Sequence, residues 1–233
     1  MFRAIKIVGT IVSFLVGSIG TLHRMDKQGQ ADPVAVEEES TQMVRNIFEK
    51  LLKMAGVTVE VRGYENIPQD RPVLYVGNHR SYFDILVGYT TVPGLMGFVA
   101  KKEMEKIPLL SKWMLNVNCL FLDRNNIKEG LKTILAGIEK VRRGVSVWIF
   151  PEGTRNKNEQ LSDLLPFKEG SLKIAEKSGC PVVPVAIKGT AEVFEKHIPL
   201  ICPSHVVYAP TNFRFSGSSS FTMNGSPNSI TTW

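Results

Sequence analysis

The sequence predicts an α/β domain built on a mostly parallel sheet flanked by helices. Three observations carry that prediction. From about Val57 onward, short apolar runs alternate with segments of helical period. Three of those runs, residues 72–77, 118–122 and 145–150, lead straight into charged or turn-forming residues. Ligands of open α/β sheets bind beyond the C-terminal ends of the strands, so the runs mark both the sheet and its functional edge. Finally, residues 7–22 carry no charge at all, which sets the start of the chain apart.

That first segment has Arg3 and Lys6 before it, His23 and Arg24 after it, and Gly9, Gly17 and Gly20 within it. It falls a little short of the roughly 20 apolar residues that cross a bilayer comfortably. We read residues 1–24 as a membrane-anchoring helix, spanning or half-inserted. A cleaved signal peptide is one alternative, although no small-x-small cleavage site follows; a buried core helix is another. Basic residues on both flanks leave orientation open. Residues 25–39 are polar, with Pro33 and the acidic run Glu37, Glu38 and Glu39, and read as a linker.

The domain is expected over residues 40–209. Ser40 opens an amphipathic helix with Met43, Ile47, Leu51 and Met54 on one face, and Gly56 ends it. Residues 57–62 alternate as a strand does, and Asn66, Ile67 and Pro68 form a turn before the strand at 72–77. Ser81 and Asp84 have the spacing of a capping box, so a helix starts there and continues through residues 85–89. Residues 97–100 make a short strand leading to Lys101 and Lys102. A helix at 109–116 precedes the strand at 118–122. The helix at 127–143 should turn Leu131, Ile134, Leu135 and Ile138 inward, with Gly144 after it. The strand at 145–150 follows, then a helix at 170–177 closed by Gly179, and a strand at 181–188. From residue 210 to Trp233 the chain is serine-rich and almost uncharged, a composition with little to bury, and it reads as a disordered tail.

Composition narrows the function. The chain has 233 residues and a net charge of +6, which favours an anionic partner: nucleic acid, an anionic bilayer or a phosphorylated substrate. Its basic residues are scattered and form no zinc-finger or RNA-recognition pattern, so nucleic acid is excluded. Cys119, Cys180 and Cys202 have no paired spacing and suit a reducing compartment as small buried side chains; no metal site is expected. With the N-terminal anchor, this places the domain on the cytoplasmic side of the cell membrane.

The candidate chemistry lies at the strand ends. His79 follows the strand at 72–77, and Asp84 can fold back to its ring. An imidazole whose tautomer is fixed by a carboxylate is what a general base requires. Ser81 is two residues from His79, but its place as a cap explains it better than a nucleophilic role, and no Gly-x-Ser-x-Gly elbow surrounds it. Arg155 offers a planar fork for an anion, beside the unhindered backbone N–H groups of Gly153 and Thr154. Arg124, at the end of a second strand next to Asp123, is another candidate. Glu152 orients Arg155 or a substrate hydroxyl, or else forms a loop salt bridge.

Five motifs resemble the 1-acylglycerol-3-phosphate acyltransferase family, the bacterial PlsC-type enzymes of phosphatidic acid synthesis. They are Asn78 and His79 with Asp84; Phe121-Leu122-Asp123-Arg124; Phe150-Pro151-Glu152-Gly153-Thr154-Arg155; Pro166-Phe167-Lys168-Glu169-Gly170; and Val183-Pro184-Val185-Ala186-Ile187. They occur in the family's order between about residues 57 and 208. The resemblance implies a glycerolipid-acyltransferase-like domain that moves a fatty acyl group from acyl-CoA or acyl-carrier protein to the sn-2 hydroxyl of lysophosphatidic acid. It implies catalysis by His79 and Asp84 and no cofactor beyond the acyl donor. Asn78, Lys101, Lys102, Arg124, Glu152, Gly153, Thr154 and Arg155 are the expected substrate-binding residues, Lys101 or Lys102 because the family has a phosphate-contacting lysine in this neighbourhood. Another acceptor (glycerol 3-phosphate or a lysophospholipid), a non-catalytic membrane lipid-binding protein and an inactive truncated product are the alternatives. Retention of both His79 and Asp84 counts against a mere binder. The family continues past residue 208 with a further strand and a Gly-x-Pro-type turn; neither is evident here.

Overall fold

The apolar runs are strands because both of their faces are covered. The computed structural model describes residues 1–158, 160 and 162–211. Its elements are α1 (Phe2–Gly17), α2 (Ile19–Gln28), α3 (Pro33–Ala55), β1 (Val57–Val61), β2 (Leu74–Gly77), α4 (Phe83–Thr91), β3 (Met96–Lys101), α5 (Leu110–Asn116), β4 (Leu120–Leu122), α6 (Ile127–Arg142), β5 (Ser146–Ile149), α7 (Lys173–Ser178), β6 (Val182–Lys188) and β7 (Ser204–Pro210). The sheet order is β1-β7-β6-β2-β5-β3-β4. From β6 to β4 all five strands are parallel, while β7 runs antiparallel to β6 and carries β1 parallel to itself.

Register and the two-residue side-chain period build two cores. Leu74 lies beside Val147 and Val182, and these side chains join Ile138, Val141 and Ile174 from α6 and α7. One residue on, Tyr75 lies beside Trp148 and Val183 and faces the opposite core, with Leu51 of α3 and Val87 of α4. Gly77 ends β2 where only glycine fits: a Cβ there would come within 2.8 Å of the Trp148 ring. The indole thus lies across the strand end just before His79. From Trp148 the aromatic packing runs through Phe98 to Phe150, with centroid spacings of 5.2 and 5.5 Å.

Several sequence expectations are corrected. Residues 25–39 are not a linker. α2 continues to Gln28, and α3 begins at Pro33, capped by the Asp32 carboxylate, which accepts from the Ala35 N–H at 3.0 Å. Aspartate followed by proline is an N-cap followed by a preset first turn, a signal that outweighs the polarity of the segment. Glu37 and Glu39 then pair with Arg143 and Arg24 instead of standing in solvent. Nor does the first helix end as a detached anchor at residue 24. It bends by 46° into α2, where the Ser18 hydroxyl accepts from Trp113 Nε1 at 2.9 Å and donates to the Leu15 carbonyl. Among the described residues no single helix is long and apolar enough to cross a membrane, although the bent pair qualifies by length and composition. α1 packs Ile7, Phe14 and Leu15 against the domain and leaves Phe2, Ile5, Val8, Val12 and Val16 exposed.

On α6, Ile134 and Ile138 face inward as expected, but Leu131 and Leu135 are 56% and 57% exposed. Gly137 and Val141 complete the inner stripe instead, because the Ile174 side chain lies where a Cβ of Gly137 would stand. The predicted strand at 118–122 begins only at Leu120, and Phe150 lies beyond the end of β5. β7 was not anticipated. It takes in Pro210, which lies opposite Val185, so the sheet extends one residue past the expected boundary at 209. The rest of the expected tail, residues 212–233, lies outside the described residues.

Ile138→Ala should cost about 2–4 kcal/mol by emptying a closed site. Leu131→Ala and Leu135→Ala should stay within about 0.5 kcal/mol. Denaturant unfolding of the three variants checks this division of α6.

Candidate active site

The C-terminal ends of β2, β3, β4, β5 and β6 point the same way, so the residues that follow them share one edge. Asp84 is the anchor of that edge. It is the second residue of α4, at the helix end that favours a carboxylate, and it is wholly buried. Four donors satisfy it. Its Oδ2 accepts from His79 Nδ1 at 2.9 Å and from the backbone N–H groups of Arg80 and Ser81 at 2.7 and 2.8 Å; its Oδ1 accepts from the Thr190 hydroxyl at 2.6 Å. The Ser81 bond is one arm of the expected capping box. The other arm differs: the Ser81 hydroxyl accepts from Phe83 N–H, and α4 starts at Phe83. Ser81 is fully buried and engaged in this way, which leaves it poorly placed as a nucleophile.

His79 is held on every side. With Nδ1–H donated to Asp84, the tautomer leaves Nε2 as the nitrogen that accepts a proton. The ring stacks on Phe150 at 4.0 Å between centroids and 13° between planes. Its side chain keeps 16% of its surface exposed. The His79 N–H donates to Glu152 Oε1 at 3.2 Å, and its carbonyl accepts from Asn156 N–H at 2.6 Å.

Two expected substrate contacts are committed elsewhere. Glu152 is buried, and besides His79 its carboxylate accepts from Asn156 Nδ2 and Leu165 N–H, both at 2.8 Å. It is a buried post for the loops, and among the described residues it makes no ion pair with Arg155. The Asn78 amide pairs in both directions with Ile187, accepting from its N–H at 2.7 Å and donating to its carbonyl at 2.9 Å, so it extends β2 against β6.

The cations lie around these loops. Arg155 Nη1 donates to Glu195 Oε1 at 3.1 Å, and the guanidinium stands 3.9 Å over the Tyr82 ring. Gly153 has φ +73°, and a Cβ there would meet Arg124 Nη1 and Lys168 Cε, each at 3.6 Å. Arg124 and Lys168 therefore both lie beside Gly153. Partial burial draws the Arg124 guanidinium below its ordinary range, with Glu103 opposing. Lys101 is exposed at the end of β3, and Lys102 pairs with Glu105 at 2.8 Å.

Sequence reasoning assigns no contact to Thr190, Tyr82 or Glu195, and it names Phe150 and Lys168 only as members of motifs. Thr190 was within reach of the same rule that found His79, because it follows the end of β6 by two residues. Glu195 carried no local signal.

Comparison with known proteins bears on the fold and the family. A family model described as Acyltransferase matches residues 58–188, an interval that contains all five motifs. The 1-acyl-sn-glycerol-3-phosphate acyltransferase of Saccharomyces cerevisiae is 34% identical over 149 residues, covering 63% of this chain and 48% of that protein. The enzyme of the same name from Borreliella burgdorferi is 33% identical over 156 residues, covering 67% of this chain and 61% of that protein. The chain thus spans about half to three fifths of the length of these curated relatives. The crystal structure of the Thermotoga maritima 1-acyl-sn-glycerophosphate acyltransferase, PlsC, superposes with a TM-score of 0.75 at 28% identity, covering 91% of this chain and 83% of that one. With a match over more than half its length and that fold, the chain belongs to the Acyltransferase family.

Proposed function

We propose that the protein transfers a fatty acyl group from an acyl thioester, acyl-CoA or acyl-carrier protein, to the sn-2 hydroxyl of 1-acylglycerol 3-phosphate, giving phosphatidic acid. The observation that carries this reading is the His79–Asp84 pair, closed at 2.9 Å with every other Asp84 contact filled by a fixed donor. Relatives bearing that enzyme name support the choice of acceptor.

The hydroxyl of the acceptor is far too weak an acid to attack as an alkoxide, so its proton must leave as the new bond forms. His79 Nε2 takes that proton while the hydroxyl oxygen attacks the thioester carbonyl carbon. Asp84 steadies the imidazolium. The tetrahedral oxyanion then collapses, the C–S bond breaks, and the imidazolium returns its proton to the departing thiolate. General-base assistance of this kind contributes about 10²–10⁴-fold. A thioester is already activated, so no acyl-enzyme and no further cofactor is required. Arg155, with Arg124 and the Gly153-Thr154 backbone, holds the acceptor phosphate, and Lys101 lies on the same edge for an anionic group.

The acceptor and product are membrane lipids, and α1 fits that setting. Its inner residues hold it to the domain while Ile5, Val8 and Val12 form an outward apolar stripe. A helix so arranged lies in the bilayer surface with that stripe buried. The protein is in this reading membrane-attached through α1.

His79→Ala should lower turnover by about 10²–10⁴-fold with the fold retained, as measured by acyl transfer alongside circular dichroism. Near wild-type transfer would rule out the general-base assignment. Arg155→Ala should raise the apparent KM for lysophosphatidic acid more than that for acyl-CoA; equal shifts would mark the loop as structural.

Replacing Ile5, Val8 and Val12 together by serine should move the protein from the membrane pellet to the soluble fraction without lowering its thermal midpoint. Unchanged retention in high salt would place the main attachment elsewhere.

A further inference from the structure

We propose that Glu195 is a positioning residue for the acceptor phosphate, acting through Arg155 and Tyr82. The inference rests on the reading of Arg155 as a phosphate ligand. Glu195 lies outside every motif, after β6, in a segment fixed at both ends. Thr190 is bonded to Asp84, Val193 is fully buried, and the Val193 carbonyl accepts from Cys202 N–H at 2.9 Å.

From that fixed backbone Glu195 Oε1 accepts two hydrogen bonds, from the Tyr82 backbone N–H at 2.9 Å and from Arg155 Nη1 at 3.1 Å. Its Oε2 is buried and has no partner among the described residues. Tyr82 closes the circuit, because its ring carries the Arg155 guanidinium at 3.9 Å. Arg155 is therefore fixed in two ways: one N–H is bound by a carboxylate and one face is covered by an aromatic ring. A guanidinium has five N–H donors in one plane, so a pair on the remaining edge stays available for two phosphate oxygens, the bidentate geometry that favours arginine over lysine.

The same circuit links the phosphate ligand to the catalytic base. Tyr82 lies between His79 and Asp84 in the sequence, so Glu195 ties the loop of Arg155 to the loop that sets His79. Without Glu195 the cation keeps its charge and loses its direction. A long side chain that is one-third exposed, as Arg155 is, then samples other rotamers, and the acceptor is held less often with its hydroxyl at Nε2.

The test is steady-state acyl transfer with lysophosphatidic acid and acyl-CoA varied separately, on the full chain. The variants are Glu195→Ala, Glu195→Gln, Tyr82→Leu, Arg155→Ala and the Arg155→Ala/Glu195→Ala double. Glu195→Ala should raise the KM for lysophosphatidic acid on the order of tenfold, the effect of losing one charge-assisted hydrogen bond, and leave that for acyl-CoA unchanged. Glu195→Gln keeps an oxygen acceptor for both N–H groups and should recover most of the loss. The double variant should raise the acceptor KM no further than Arg155→Ala alone, since Glu195 and Tyr82 bear on the phosphate by way of that guanidinium. Tyr82→Leu keeps the backbone N–H and alters a half-exposed ring, so it reads the circuit even if Glu195→Ala fails to fold; it too should raise only the acceptor KM. If Arg155→Ala shifts the acceptor KM and neither Glu195→Ala nor Tyr82→Leu does, the inference is wrong while the phosphate reading stands. Additive losses in the double variant, or equal shifts in both KM values with a lowered thermal midpoint, would also overturn it. If Arg155→Ala itself leaves the acceptor KM unchanged, the phosphate reading fails and the inference fails with it.

Discussion

The buried Asp84 carboxylate is the constraint on which the site depends. A charge taken out of water is tolerable only when its acceptor positions are filled. Here the four donors come from two separate stretches of chain, the loop after β2 and the segment after β6, and they meet on a carboxylate carried by the first turn of α4. Losing any one donor would leave part of a buried anion unsatisfied, so the contacts hold those stretches in a single arrangement. The orientation of His79 is one consequence. The fixed start of the segment that carries Glu195 is another.

The central sheet reinforces that arrangement from below. β6, β2 and β5 are adjacent, so the ends bearing Thr190, His79 and Phe150 emerge side by side. Gly77 lets the Trp148 ring lie at the end of β2, and Phe98 and Phe150 continue the packing to the imidazole. The His79 imidazole is therefore backed by aromatic rings and fixed at Nδ1, and in the proposed reading Nε2 is the nitrogen left to meet substrate. Such preorganisation lowers the reorganisation needed when a proton moves.

How much of this was legible in the sequence follows from the range of each interaction. Strand-and-helix alternation and the His79–Asp84 pair are local patterns, and both could be read directly. The start of α3 was also local, in Asp32 and Pro33, but an acidic run masked it by its resemblance to solvated linker. β7 was hidden for a different reason. It pairs with β6 and β1, and β1 is more than 140 residues away in the chain; its sequence alone shows neither partner. The inward face of α6 was misread at Leu131 and Leu135 because the helix rotates to bring Gly137 against Ile174, and only the partner fixes that rotation. Asn78 and Glu152 follow the ends of β2 and β5, as their sequence positions imply. Their partners, Ile187 and the N–H groups of His79 and Leu165, assign them to scaffolding, and no spacing rule reveals which groups of a loop are already satisfied.

The two glutamates of the site show why burial and partner decide function more than residue type. Among the described residues Glu152 accepts only from N–H groups, two from backbone and one from the Asn156 amide, so its charge organises loops. Glu195 accepts from one backbone N–H and one guanidinium, so its charge both orients and offsets Arg155. The offset matters for the field at the edge. With Arg155 compensated by Glu195 and Lys102 by Glu105, the cations that make no ion pair among the described residues include Arg124 and Lys168, beside Gly153, Lys101, and Arg80, whose guanidinium is held by backbone carbonyls. Long-range attraction of an anion depends on net charge, whereas its final placement depends on aligned donors. The two tasks thus fall to different arginines. In the proposed reading Arg124, which makes no ion pair among the described residues, supplies charge beside Gly153. Arg155, its charge offset and its plane fixed by Glu195 and Tyr82, supplies direction.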